Sequence, residues 1–328
     1  MHTLGVWVAA LFRTAGPWVV AGVVASAAAT GCSSSASWAP GGVQSARSAR
    51  DPVSRVAPRR PQDPAPPTLV GRGTGTRFQP AACIGRGRGV PVFLDPGHGG
   101  LDPGAVGQTA TGRALSEAPL TLAIALATRR LLLAHGIRVV LARTAGSTVV
   151  RPGRGDVRGG LLTAEGADDE LAARIACANA ARARVLVGIH LNAFSDPTAQ
   201  GAETLYCAQR RFSPASLRLA GLIQRSVVAS LARAGWRVPD RGVKDDRHAG
   251  SRALDRWSAR YGHLLELGPA WPPRFRHPSR MPGVIVEPLF ITNPTEAVMA
   301  ASPRWQAAIA AGIAGAVRRF LASRPAGG

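Results

Sequence analysis

Lysine is almost absent from this 328-residue chain: Lys244 is the only one, so nearly all of the positive charge is arginine. The 40 Lys and Arg residues against 19 Asp and Glu residues give a formal net charge of +21. This charge indicates either a solvated arginine-rich surface or attraction to envelope polyanions, anionic lipid or nucleic acid. Aromatic residues are also scarce, at 5%. Their scarcity argues against a nucleic-acid partner, because such partners are usually bound by basic surfaces interleaved with aromatic side chains.

Long apolar runs are missing from the body of the chain. No stretch of twenty apolar residues occurs there, which excludes a multi-pass membrane protein. Hydrophobic residues make up 46% and charged residues 18% of the sequence, which excludes a wholly disordered chain. The length favours one or two folded domains.

Cysteine is rare as well, with four residues, and no two of them stand at Cys-x-x-Cys spacing. This excludes a cysteine zinc knuckle and a thioredoxin-like redox site. If Cys32 is acylated after export, Cys83, Cys177 and Cys207 remain, which allow at most one disulfide and one thiol. The sequence does not decide which pair forms.

Residues 1–32 are typical of a targeting segment. The apolar run Pro17–Ala29 is short and ends in small residues, which favours a secretory signal over a membrane span. The small residues before Cys32 also resemble a bacterial lipobox. We therefore expect an exported protein of the cell envelope, in the periplasm or at the outer face of the cytoplasmic membrane. Lipid attachment through Cys32, plain secretion and an uncleaved anchor remain the three alternatives.

Three further regions follow the targeting segment. Residues 33–89 are rich in Pro, Ser, Gly and Arg without apolar periodicity, which is typical of a disordered linker. In residues 90–322 short apolar runs alternate with helical periodicity, and residues 323–328 form a tail. The alternation predicts a single α/β domain with a twisted, largely parallel sheet flanked by helices on both faces.

The periodicity also predicts the individual elements of this domain. The predicted strands are Val90–Asp95, Ile137–Ala142, Val185–His190, Glu203–Cys207, His263–Leu267 and Val284–Glu287. The predicted helices are Glu117–His135, Glu170–Ala183, Ala215–Ala234 and Pro303–Leu321. The Gly- and Arg-rich stretch Gly146–Gly166 has no period and is expected to be a surface loop.

Ionisable residues stand at the ends of three predicted strands. His98 lies in a glycine-rich turn after the first strand, while His190 and Glu287 each close a later strand. In an open α/β sheet the ligand crevice lies outside the carboxyl ends of the strands, so these side chains are expected to converge there. Glu117 opens the helix after His98 and would supply a further carboxylate. Two His and one Glu with an open fourth position are the ligand set of a catalytic zinc ion.

Seven motifs in chain order resemble those of the zinc-dependent N-acetylmuramoyl-L-alanine amidases, a family of bacterial cell-wall hydrolases. The first is Asp95-Pro96-Gly97-His98-Gly99-Gly100, with Asp102-Pro103-Gly104-Ala105 behind it. The others are Glu117 before a long amphipathic helix, Gly136-Ile137-Arg138-Val139 leading to Ala142-Arg143-Thr144, Arg174 with Ala178-Asn179, Gly188-Ile189-His190-Leu191-Asn192-Ala193 followed by Gly201-Ala202-Glu203-Thr204, Arg241-Gly242-Val243-Lys244, and Val286-Glu287 through Phe290-Ile291-Thr292-Asn293-Pro294. The resemblance covers about residues 90–322.

The resemblance implies hydrolysis of the amide between N-acetylmuramic acid and L-alanine in peptidoglycan, for cell-wall turnover or septum cleavage. It places one zinc ion per chain on His98, Glu117 and His190. It also makes Glu287 the catalytic residue, which takes a proton from water and passes it to the leaving amine. Two alternatives remain: a catalytically silent, peptidoglycan-binding regulator, and a zinc peptidase acting on the stem peptide. A missing ligand or base would mark the regulator, and none is missing.

Overall fold

The computed structural model describes residues 69–70, 77–78, 90–248, 261–273 and 275–323. The predicted targeting segment 1–32 lies outside the described residues, as do most of the predicted linker and residues 324–328 of the predicted tail. Within the linker stretch, β1 (Leu69–Val70) pairs antiparallel with β2 (Arg77–Phe78).

A six-stranded sheet forms the centre of the domain, in the order β11-β10-β12-β9-β3-β6. Its strands are β3 (Val92–Pro96), β6 (Val139–Leu141), β9 (Val185–Ile189), β10 (Ala202–Tyr206), β11 (Asp240–Asp245) and β12 (Gly283–Glu287). Every neighbouring pair is parallel except β10 with β12. The prediction of a largely parallel sheet is confirmed.

Helices cover both faces of this sheet. They are α1 (Glu117–Ala134), α2 (Ala164–Ala180), α3 (Ser213–Arg233), α4 (Pro294–Ala300) and α5 (Pro303–Ala322). Val92 and Leu94 of β3 pack in one core with apolar side chains of α1, α3 and α5, whereas Phe93 packs in a second core with α2. Because both faces of β3 are buried, its sequence is a continuous apolar run. The predicted two-sided arrangement is confirmed.

The antiparallel pairing of β10 decides which residues meet at each edge of the sheet. β3, β9 and β12 run in the same direction, so their carboxyl ends lie at one edge. Because β10 runs the other way, its beginning lies at this edge, and Glu203 pairs in register with Glu287. The carboxyl ends of β10 and β11 therefore lie at the opposite edge.

The predicted loop Gly146–Gly166 is wrong in its second half. There, β7 (Val157–Arg158) pairs antiparallel with β8 (Leu161–Leu162), and α2 begins at Ala164.

The start of α2 has a local signal that periodicity does not reveal. The Thr163 hydroxyl accepts a hydrogen bond from the Gly166 backbone N–H, as an N-cap residue does. The helical period is hidden because the buried face of α2 includes charged side chains, among them Glu170 and Arg174.

The predicted strand His263–Leu267 is also wrong, because these residues form a turn closed by hydrogen bonds to the Leu264 carbonyl. β12 already pairs on both sides, with β9 and β10, so no edge is free for another strand beside it. Leu264 and Leu267 pack instead against Leu205 and Ile285 of the sheet.

Several smaller features are not predicted from the sequence. These are α4, β11 and a hairpin of β4 (Val106–Gln108) with β5 (Ala114–Ser116). Of the cysteines, Cys177 is disulfide-bonded and Cys207 keeps a free, buried thiol. None of the helices in the described part of the chain has the length and apolar character needed to cross a membrane.

The contact between α3 and α5 depends on Gly312, where an added Cβ would lie 2.7 Å from the Val227 Cα atom. We expect Gly312→Ala to push the helices apart and to lower the free energy of unfolding by about 1–3 kcal/mol, the usual cost of overpacking. The matched variant Gly315→Ala places its Cβ no closer than 3.7 Å to Arg319. It should stabilise the protein by up to about 1 kcal/mol through helix propensity. Urea unfolding measures the free energy of unfolding of both variants. An equal decrease in the two variants would contradict this packing.

Candidate metal centre and active site

Three side chains meet at the edge where β3 and β9 end. His98 follows β3, His190 follows β9, and Glu117 opens α1. His98 Nε2 lies 3.1 Å from Glu117 Oε2, and His190 Nδ1 lies 3.3 Å from Glu117 Oε1. The two histidine nitrogens are 3.2 Å apart. The structure thus brings all three predicted ligands together, with each histidine nitrogen facing a different oxygen of the Glu117 carboxylate.

Two backbone amides hold the buried carboxylate of Glu117. The N–H groups of Ala105 and Leu191 donate to its two oxygens at 3.0 and 2.8 Å. Burial acts to raise the pKa of Glu117, but the charge of His98 and the hydrogen bonds of both histidines hold it well below its ordinary value. Glu117 is therefore an anion, and the N-terminus of α1 further favours its negative charge.

His98 is fixed from its other ring nitrogen. Nδ1 bonds Asp102 Oδ2 at 2.8 Å, and Asp102 Oδ1 accepts a hydrogen bond from the Gly104 N–H at 3.0 Å. Burial acts to lower the pKa of His98, but the charge of Glu117 and the hydrogen bond to Asp102 outweigh it and raise the pKa to about 10. A carboxylate behind a histidine orients the ring and raises its basicity, as in many metal sites.

His190 packs against the backbone of the opening turn. A Cβ added to Gly97 would lie 2.3 Å from the His190 ring, so only glycine leaves room for this histidine. Its Nε2 atom is buried without a hydrogen-bond partner among the described residues and lies 3.8 Å from Glu266 Oε2. Burial, and then the charge of Asp95, raises the pKa of Glu266 to about 8. Glu266 thus lies behind the ring of His190 but, unlike Asp102 behind His98, makes no hydrogen bond with it.

Two buried arginines hold the turn that follows β3. Arg174 of α2 donates to the Asp95 carboxylate at 2.5 Å and to the His98 carbonyl at 2.6 Å. Arg143, just after β6, donates to the Gly97 carbonyl at 2.8 Å. These bonds stabilise a backbone in which His98 has a φ of 62°, a conformation that side chains rarely adopt.

The donor set fits a divalent metal ion. Nitrogen and oxygen ligands about 2.0–2.1 Å from a tetrahedral ion stand about 3.3 Å apart. The two histidine nitrogens are 3.2 Å apart, and each lies 3.1–3.3 Å from the nearer oxygen of Glu117. Without an ion, the charge of Glu117 raises the pKa of His98 and so favours a protonated ring that balances this charge. A dication would replace that proton. Three protein donors leave a fourth position open, as in catalytic rather than structural sites.

Glu287 ends β12 at the same edge but is not part of the group formed by His98, Glu117 and His190. Burial, and then the negative charges of Glu117 and Glu203, raises its pKa to about 8. A carboxyl group with this pKa exchanges protons near neutral pH, which suits a general acid–base catalyst.

Glu203, in register beside Glu287, is bound by other groups. Asn192 donates to its Oε1 atom at 2.7 Å, while Arg241 and Lys244 donate to Oε2 at 2.9 and 2.5 Å. Burial acts to raise the pKa of Glu203, but these donors lower it. Glu203 therefore stays ionised and supplies a negative charge next to Glu287.

The positions of Asp102 and Glu266 behind the two histidine rings are not identified by the sequence reasoning. The signal for Asp102 is its position four residues after His98 in a glycine-rich turn. Glu266 gives no comparable signal, because it reaches His190 only through the turn that replaces a predicted strand.

The raised pKa of Glu287 predicts a pH-dependent stability in the metal-free protein. A folded-state pKa of about 8 against an ordinary 4.5 means that folding favours the protonated form. The contribution of the protonated Glu287 to the free energy of unfolding is fully present below pH 4.5 and is lost as the pH rises through about 8. Glu287→Gln keeps the neutral form at all pH values, so the variant should gain stability relative to wild type with rising pH. Urea unfolding with a chelator measures this, with exposed Glu165→Gln as the control. A difference that does not change with pH would contradict the buried, proton-holding state.

Comparison with known proteins identifies the family of the chain. A family model described as N-acetylmuramoyl-L-alanine amidase matches residues 92–319. The amidase AmiC of Neisseria meningitidis is 28% identical over 248 residues, which are 72% of this chain and 53% of that protein. The chain thus spans about half the length of this relative. The amidase AmiA of Salmonella typhimurium is 29% identical over 248 residues, which are 70% of this chain and 75% of that protein.

A solved structure shows a similar fold. The CwlD amidase of Clostridioides difficile, in complex with the GerS lipoprotein, aligns with a TM-score of 0.52 and 25% identity. The alignment covers 71% of this chain and 98% of that one. The matched residues 92–319 make up more than two thirds of the chain and contain His98, Glu117, His190 and Glu287. The chain belongs to the N-acetylmuramoyl-L-alanine amidase family.

Proposed function

We propose that this protein is a zinc-dependent N-acetylmuramoyl-L-alanine amidase. It hydrolyses the amide between N-acetylmuramic acid and the L-alanine of the stem peptide, in cell-wall turnover or septum cleavage. The observation that carries the proposal is the convergence of His98, Glu117 and His190 on one point, with Glu287 at the same edge of the sheet. The membership of the chain in the amidase family supports it.

Zinc is the ion that these donors favour. Imidazole nitrogen and carboxylate oxygen are both zinc ligands, and two His with one Glu are a known catalytic set. When bound, the ion supplies polarisation of the scissile carbonyl and lowers the pKa of a water molecule. Glu117 contributes the negative charge, while the hydrogen bond with Asp102 keeps the ring of His98 in its ligating orientation.

Glu287 moves the proton in this proposal. Its carboxylate accepts a proton from the attacking water and then donates it to the nitrogen of the leaving L-alanine. General acid–base catalysis needs a group that titrates near the working pH, and burial beside Glu117 and Glu203 provides it. Glu203 is unsuited to this step, because Arg241 and Lys244 hold it ionised.

The two alternative functions differ from the amidase in observable ways. A silent regulator would lack a ligand or the base, whereas all four residues are present and the three ligands converge. A zinc peptidase acting on the stem peptide would use the same donors and the same proton transfer. Only the identity of the cleaved bond separates the peptidase from the amidase.

We place the protein in the cell envelope, where peptidoglycan is accessible. The proposal is supported by the targeting segment 1–32 in the sequence and by the wall-directed family. Lipid attachment through Cys32 would hold the domain near a membrane on the linker 33–89. No nucleic-acid partner is proposed.

Mass spectrometry of purified peptidoglycan after digestion identifies the cleaved bond. We expect stem peptides that begin with a free L-alanine amine, and glycans whose muramic acid has lost its peptide. His98→Ala, which removes one ligand, serves as the control and should leave the polymer intact. Shortened peptides still attached to muramic acid would instead establish a peptidase. Binding without any cleavage by the metal-loaded protein would establish the regulator.

A further inference from the structure

A second cluster of metal-binding side chains lies at the opposite edge of the sheet. Cys207 follows β10, and Asp246 follows β11. His263 comes from the segment 261–268, which folds back over the sheet. Because β10 and β11 are parallel to each other and antiparallel to β12, this cluster is separate from the metal centre beside Glu287.

The three side chains are buried and close together. His263 Nδ1 lies 2.9 Å from Asp246 Oδ1 and 3.5 Å from Cys207 Sγ. Cys207 and Asp246 are only 2% and 3% exposed. The other ring nitrogen of His263, Nε2, lies 3.0 Å from Gln209 Oε1.

The arrangement of contacts on His263 excludes a nucleophilic Cys–His–Asp relay. In such a relay the nucleophile and the acid contact opposite ring nitrogens, so that one proton can pass through the ring. Here Cys207 and Asp246 both face Nδ1, and Gln209 accepts the hydrogen bond of Nε2. Burial, and then the charge of Asp246, raises the pKa of the Cys207 thiol to about 12, which is the opposite of activation.

The same contacts leave three electron-pair donors facing one point. In the tautomer whose Nε2 proton is directed to Gln209, Nδ1 presents a lone pair to a carboxylate oxygen and a sulfur. These three donor atoms need a shared cation or a shared proton between them, because lone pairs that face each other in a buried site repel.

We propose that Cys207, Asp246 and His263 bind a second transition-metal ion of the zinc class, distinct from the ion of the hydrolytic site. Zinc bonds of about 2.3 Å to sulfur and about 2.0 Å to nitrogen place those two atoms about 3.5 Å apart in a tetrahedral site. The observed sulfur–nitrogen distance is 3.5 Å. A mixed sulfur, nitrogen and oxygen set suits zinc rather than magnesium or calcium, which prefer oxygen.

The second ion would fasten the segment 261–268 to the sheet. Asp246 already receives the Leu264 N–H on its second oxygen at 3.1 Å, so it bonds the segment at two positions. The same segment carries Glu266, which stands behind His190 in the hydrolytic site. The ion would therefore fasten to the far edge of the sheet the segment whose Glu266 lies beside His190. The binding argument itself does not depend on the proposed amidase activity.

Cobalt substitution tests this site separately from the first. We expect the metal-stripped protein to take up two Co²⁺ per chain and to show the near-ultraviolet charge-transfer band of a thiolate bound to cobalt. The hydrolytic site contains no sulfur, so the part of this band that is lost in Cys207→Ser reports on the second site. Cys207→Ser should halve the bound cobalt and abolish the band. His98→Ala with His190→Ala should also halve the bound cobalt but retain the band.

A second variant and a matched control keep the test independent of folding defects. His263→Gln removes the nitrogen donor and should likewise abolish the band, whereas His135→Gln replaces an exposed histidine outside both sites and should change neither quantity. One cobalt per chain with a band that depends on Cys207 would still support this site and would count against the hydrolytic one. Absence of the band in wild type, or its persistence in Cys207→Ser, would overturn the proposal and leave a shared proton in its place.

Discussion

Hydrogen bonds from two buried guanidinium groups hold the turn on which the metal centre depends. Arg174 bonds the Asp95 carboxylate and the His98 carbonyl, and Arg143 bonds the Gly97 carbonyl. Burial, and then the charge of Arg174, lowers the pKa of Arg143 to about 10, which still leaves it charged at neutral pH. Losing one partner of such a buried pair costs about 3–5 kcal/mol, because the remaining charge is left uncompensated. The arginines come from two elements distant in sequence, so the position of His98 depends on the assembled sheet and helices.

The topology of the sheet then sets the chemistry at its edge. Parallel β3, β9 and β12 deliver His98, His190 and Glu287 to one side, as the ends of parallel strands do. The single antiparallel pairing adds Glu203 beside Glu287. Arg241 and Lys244 keep Glu203 ionised, and the negative charge of Glu203 helps to raise the pKa of Glu287. The one antiparallel pairing in this sheet thus helps to give Glu287 a higher pKa than the neighbouring carboxyl groups of Glu117 and Glu203.

The sequence predicts those parts that depend on local pattern. Buried strands such as β3, with Val92, Phe93 and Leu94, are continuous apolar runs, and the residues at their ends mark the site. The pattern fails where a buried polar contact replaces an apolar one. Arg174 and Glu170 lie on the inner face of α2, so its start does not show in the hydrophobic period.

Tertiary placement accounts for what the sequence leaves out at the site. β12 has no free edge, so the segment 261–268 turns back over the sheet instead of pairing beside β12. This turn brings Glu266 close to His190. The cluster of Cys207, Asp246 and His263 likewise joins residues that are unrelated by spacing. Neither arrangement leaves a periodic signal in the sequence. By contrast, strand ends and motifs predict that the four residues of the hydrolytic site lie at one edge of the sheet.

The roles assigned at the hydrolytic edge make one claim central: Glu287 moves protons, while His98, Glu117 and His190 hold the ion. Zinc content measured beside turnover on peptidoglycan, for wild type and Glu287→Gln, tests this claim most directly. Both proteins also carry Cys207→Ser, which removes the proposed second metal site, so that the zinc content reports on the hydrolytic site. The account predicts that Glu287→Gln keeps the hydrolytic ion and loses turnover by about 10²–10⁴, the usual contribution of general acid–base catalysis. Loss of the ion in Glu287→Gln, or near-normal turnover with the ion retained, would contradict it.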